Sequence, residues 1–367
     1  MQITSNTVGC PSAVFSTIDK DGNDLCAVVG KVTFDVDLQG ESSVALAQQP
    51  VTLVDTYSGE PGFSSIRYES DCAAFKPKAD VIVNGSACSP NGRAVESMEV
   101  HLEIGRLRKT IRVTGQRYWR RGLFGLLPSA PEPFTEMPLI YERAFGGSDH
   151  THTDPKFHGT YESNHVGVGF RSNPDASCLL DAPLPNLENP RFLIQNTEDK
   201  ALSVGFGSLC RNWQPRVAYA GTYGKEWLKN RFPFVPEDFD HRFHLSSPAD
   251  QQFGSLIPHE VVRCINMTTD GLFAFSIPEI VIPVLFRCDT RDETRHAKPD
   301  TLLVEPSTRQ FSLVWRTTVV LGRKPNSIRE IMIGPQPRWR TDARSAEKPH
   351  FESTAAYLVW KKELLDW

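Results

Sequence analysis

The residues best spaced for chemistry are His150, His152 and Asp154, in the run HTHTDP. In extended chain, alternate residues share a face, and Pro155 biases Asp154 toward that conformation. Two imidazoles and a carboxylate so arranged suit zinc, and a metal-dependent hydrolase would be the chemistry that follows. Such a centre would continue with another histidine and a spaced second ligand set. Pro155 comes next instead, and His158 and His165 belong to no recognisable second half. A polar exposed loop is the simpler reading. Glu237, Asp238 and Asp240 could form a general acid/base pair, but beside prolines and arginines capping and turn bonding are the commoner tasks. Cys210 and Cys264 have no activating histidine marked out, which favours buried structural thiols. No GxSxG is present. Gly221-Thr-Tyr-Gly224-Lys225 lacks the spacing and hydroxyl of a phosphate loop, and Gly167-Val-Gly169 and Gly205-Phe-Gly207 lack the third glycine of a dinucleotide fingerprint. Neither a catalytic residue nor a cofactor or metal is expected.

A second cluster is basic. Arg106, Arg108, Lys109, Arg112, Arg117, Arg120 and Arg121 run with Tyr118 and Trp119 among them, as a nucleic-acid-binding face would need. If Gly105 turns a hairpin, however, Glu99 and Glu103 face Arg108 and Arg112 across strands, which offsets much of the charge. The chain as a whole carries a formal charge of −4, which also argues against a dedicated nucleic-acid binder. The excess around Arg117 is better suited to an acidic protein partner.

The elements that would position these groups are mostly strands. Met98, Val100, Leu102 and Ile104 alternate with polar residues, and RKTIRVTGQRYW follows the turn at Gly105. Residues 25–36, 79–87, 261–267, 272–278, 280–286, 301–305 and 311–321 read as further strands, with Asp270-Gly271 as a hairpin turn. Between about 125 and 260 prolines, glycines and aromatics replace periodic runs, which implies long ordered loops. Tyr357, Trp360, Leu364 and Trp367 recur at helical spacing at the end of the chain. The expected fold is mainly β, with antiparallel sandwich-like domains: a β domain over 1–125, a loop-rich β domain over 126–325, and an extension over 326–367 with a terminal amphipathic helix. With 367 residues, a sizeable core needs no staples. Eight dispersed cysteines, no signal-peptide pattern and no apolar stretch of membrane-spanning length lead to a cytoplasmic expectation.

The loop region contains the stretch AYAGTYGKEWLKNRFPFVPEDFD at 218–240. Thr222 is placed to cap a short helix there, with Tyr223 and Trp227 on one face and Pro233 ending it. Several blocks occur in order: Phe75-Lys76-Pro77-Lys78-Ala-Asp80, Pro90-Asn-Gly92-Arg93, Pro138 to Gly147, Asn164-His-Val-Gly167-Val-Gly169, Leu184-Pro185-Asn186-Leu-Glu188, and Trp213-Gln-Pro215-Arg216 through Tyr223. This series resembles the domain-of-unknown-function family 2169, from about residue 10 to about residue 320. The resemblance implies an adaptor or chaperone of bacterial type VI secretion. It would hold an effector, often one bearing a PAAR-type tip domain, and help load it onto the VgrG spike. On that reading Arg117, Trp119, Trp213, Tyr219, Tyr223, Trp227, Lys229 and Arg231 are the candidate contacts, because Trp, Tyr and Arg dominate interface energetics. Neither membrane nor nucleic acid is an expected partner.

Overall fold

The computed structural model describes residues 1–172, 179–289, 292–321 and 328–336. The chain is β-rich and resolves into two compact units. The larger contains Cys10–Val281 and Lys298–Arg323; the smaller contains Met1–Gly9, Ile282–Ala297 and the chain from Lys324 onward.

Two sheets dominate the larger unit. The first has seven strands, in the order Gln252–Phe253, Ala79–Val83, Pro299–Glu305, Gln310–Val320, Asp24–Val36 and Ser12–Ile18, with Ser42–Val44 also paired to Asp24–Val36. Its centre is buried on both faces: all five residues of Ala79–Val83, the carboxylate Asp80 among them, are buried. That strand pairs in parallel with Pro299–Glu305, so the sheet is mixed where antiparallel pairing was expected. Continuous burial of this kind is typical of strands covered on both sides. Gly30 is required opposite Trp315, because a Cβ there would lie 2.2 Å from the indole ring.

The second sheet orders Leu187–Glu188, Leu107–Thr114, Ser97–Ile104, Val261–Ile265 and Leu272–Ser276. The alternation read in Ser97–Ile104 is present residue for residue, with Met98, Val100, Leu102 and Ile104 buried. Arg108 stands opposite Glu103 and Arg112 opposite Glu99. The first pair closes at 3.3 Å, while Arg112 donates to Ser97 Oγ at 2.5 Å. The two sheets meet through stacked rings: Phe275 lies 4.0 Å from Phe311, which also stacks at 4.9 Å on Phe34, its partner on the neighbouring strand. Burial of each such ring contributes about 1.5–3 kcal/mol.

Both large sheets draw strands from either side of residue 125, so that boundary does not separate sheets: Leu107–Thr114 and Val261–Ile265 flank the same strand. Complementary apolar faces pair irrespective of their distance along the chain. Among its described residues the smaller unit is one four-stranded sheet, Ile3–Asn6, Ile328–Ile333, Ile282–Cys288 and Glu293–Ala297, whose first pair is parallel. Buried Arg287 is paired there with Glu330 at 3.3 Å. The expected terminal helix lies outside the described residues.

Candidate partner-binding surface

The histidine loop is turned inward on its own main chain. His152 Nδ1 accepts the Asp154 N–H at 3.0 Å, and His158 Nε2 lies 2.7 Å from the His152 carbonyl. Asp154 caps the short turn Pro155–Phe157 by accepting from Lys156 N, and His150 packs edge-on against His158. Among the described residues, no three His, Cys, Asp or Glu side chains converge as a metal would require. Asp238 accepts from Thr222 N and Oγ1, and Asp240 from Arg242, so both serve turns, as weighed from the sequence. Thr222 is therefore not the helix cap; Gly224 occupies that position before Lys225–Asn230. Burial pushes the Cys210 thiol up to about 11 and the Cys264 thiol up to about 12, which leaves both protonated at neutral pH.

The loops between 138 and 251 lack broad sheets, and buried polar side chains take over the pairing of their main chain. Arg216 is 2% exposed. Its guanidinium donates to the Leu209 and Phe243 carbonyls and to Glu69 at 2.5 Å. Burial alone would raise the Glu69 pKa; the Arg216, Lys76 and Arg211 charges outweigh it and hold the carboxyl below its ordinary value. Asn164 donates to the Tyr141 and Phe145 carbonyls, and Asn186 to the Thr114 carbonyl. Tyr141 packs edge-on against Trp213, and Gly205 lies flat on the same tyrosine, where a Cβ would come within 2.6 Å of the ring. Fully buried Asp80 bonds Lys76 at 2.7 Å and accepts from Ser246 N, Ser247 N and Ser247 Oγ. Burial would raise its pKa as well, but Lys76 and these donors hold it low.

The eight candidate contacts divide accordingly. Arg117, Trp119 and Trp213 are buried, which takes them off the surface. Arg117 is paired with Glu188 at 2.6 Å, and Trp119 belongs to an apolar cluster with Leu179, Ala182, Leu184 and Ile194. Tyr219 is half-buried beneath the Arg242 guanidinium, 4.3 Å from its ring. Arg231 donates to the Lys20 and Val235 carbonyls, and Trp227 Nε1 to the Phe234 carbonyl at 2.8 Å. These two brace the segment that carries them. Tyr223 and Lys229 are exposed, and Tyr223 packs edge-on against Trp227 beside exposed Leu228 and Phe232.

A model of a family described as uncharacterized proteins conserved in bacteria, DUF2169, matches residues 21–316. The chain belongs to this family. No curated protein and no solved structure matches it. The buried cross-links, from Lys76 and Asp80 through Arg216, all fall within the DUF2169 match, and so does an exposed feature that reading the sequence missed. Trp119–Arg121 and Leu126–Pro128 form a hairpin whose tip holds Leu123 and Phe124, 95% and 102% exposed. Leu126 packs on the Trp119 cluster, so the tip stands on a fixed base. The run GLFGLL was the available signal, and it lies at the junction drawn between domains. Among the described residues of this DUF2169 chain, no helix is long and apolar enough to cross a membrane.

Proposed function

We propose that this protein is a non-enzymatic adaptor that holds a type VI secretion effector, or its PAAR-type tip domain, for loading onto the VgrG spike. The observation that carries the reading is the Leu123–Phe124 tip, held out into solvent on the apolar base that Trp119, Leu179, Leu184 and Ile194 form. Large exposed apolar side chains on a rigid support mark contact surfaces. Tyr223, Leu228 and Phe232 offer a second such group on the 218–240 segment. His152, Asp154 and Asp238, weighed for catalysis, accept from neighbouring main chain instead, which favours binding over turnover. Co-expression with the effector encoded beside its gene tests this. The two proteins should co-purify, and the Leu123→Ser/Phe124→Ser double variant should lose the effector while keeping its fold. Recovery of a folded protein that retains no effector would refute the proposal.

A further inference from the structure

Exposed sheet edges invite pairing with other chains, and folded proteins blunt them by shortness, charge, proline, bulges or cover. Most edges of the large sheets carry such a device. Gln252–Phe253 and Leu187–Glu188 are two residues long. In the four-stranded sheet, Glu293–Ala297 carries Glu293 and Arg295, and Ile3–Asn6 is four residues long with a register shift. Over Leu272–Ser276 lies the turn at Gly40, where a Cβ would be 3.0 Å from the Ala274 carbonyl oxygen.

Ser12–Ile18 differs. It is seven residues long, SAVFSTI, with no charge and no proline, and pairs with Asp24–Val36 without a bulge. Its hydrogen-bonding direction follows from one contact: Lys31 N donates to the Pro11 carbonyl, so Pro11 and every second residue after it face Asp24–Val36. Ala13, Phe15 and Thr17 therefore bond inward, and Val14, Ser16 and Ile18 present N–H and C=O outward. Ser16 and Ile18 are exposed.

We infer that Ser12–Ile18 is a strand-addition site, at which an extended segment of a separate polypeptide joins the seven-stranded sheet through the main chain of Val14, Ser16 and Ile18. Main-chain bonding supplies affinity in this mode, and alternate side chains supply selectivity. The strand runs into a turn bearing Asp19, Asp21 and Asp24, where Lys20 pairs with Asp21 at 2.9 Å and Arg231 donates to the Lys20 carbonyl, so three carboxylates face two cations and the turn stays acidic by one charge. The complementary segment is uncharged and β-branched along its length and basic beyond the end that meets this turn. That the segment belongs to the effector rests on the function proposed above; the edge itself does not.

The test is amide hydrogen exchange on the full chain, alone and with a peptide of alternating Thr and Val ended by two lysines. In the free protein the Val14, Ser16 and Ile18 amides should exchange fast and those of Ala13, Phe15 and Thr17 slowly; the peptide should slow the outward set about tenfold or more. Ser16→Pro removes one outward donor and no inward bond, so it should abolish this protection, while Ser16→Ala retains it. Slow outward amides in the free chain would overturn the proposal, as would peptide protection unchanged by Ser16→Pro. A dimer that protects these amides and is dissolved by Ser16→Pro would also overturn it, by assigning the edge to a second copy. If the peptide behaves as expected but the effector fails to protect the edge, the effector assignment fails and the edge stands.

Discussion

Arg216 shows how one side chain holds several loops. Its substitution by alanine leaves Glu69 buried without its principal partner and frees the Leu209 and Phe243 carbonyls. Loss of one member of a buried pair costs about 3–5 kcal/mol, so the denaturant midpoint of Arg216→Ala should fall by that equivalent. Arg216→Lys should recover little, because an ammonium cannot reproduce the fork. Asp80 gives a pH signature. Its carboxyl is held below the ordinary 3.8 in the native chain, so its stabilisation is complete above that value and is lost as pH falls through the lower native one. The stability gap between wild type and Asp80→Asn should be constant above about pH 5 and shrink below pH 4. His244 acts in another window. Burial first, and then the nearby His241, push it down to about 4, so from 6.5 to about 4 the unfolded chain takes up a proton that the native one refuses. Stability should decline with falling pH across that interval, and His244→Gln should flatten the slope in chemical denaturation followed against pH.

Elements differ in how much of them the sequence discloses. The Ser97–Ile104 and Leu107–Thr114 hairpin, including the Glu103–Arg108 facing, was legible because a period of two and a tight turn are local. The role of Arg117 was not, since its partner Glu188 lies 71 residues away and nothing local distinguishes a buried guanidinium from a surface one. Trp213 failed for the same reason, since an aromatic in a loop reads alike whether it meets solvent or Tyr141, and so did Trp119, whose apolar neighbours Leu179, Leu184 and Ile194 lie far along the chain. The Leu123–Phe124 tip was missed because an apolar run usually signals core, and only the hairpin's projection exposes it. Gly205 was visible as a motif without its cause, which is the Tyr141 ring. Gly205→Ala should cost at least about 1–3 kcal/mol by overpacking, measured by equilibrium unfolding.

At the scale of the molecule, sheets drawn from distant parts of the chain support loops that are stitched by buried polar groups. The proposed binding role needs that support to be stiff and the Leu123–Phe124 tip to be expendable for folding. Surface substitutions of this kind shift stability by about 0.5 kcal/mol or less, so loss of binding can be read separately from loss of fold. The most direct measurement is a titration of the purified effector into wild type and into Leu123→Ser/Phe124→Ser, each first shown to unfold at the same denaturant concentration. The account predicts saturable binding by wild type and at least a tenfold weaker affinity for the double variant. Equal affinity for both, or no binding by a fully folded wild type, would contradict it.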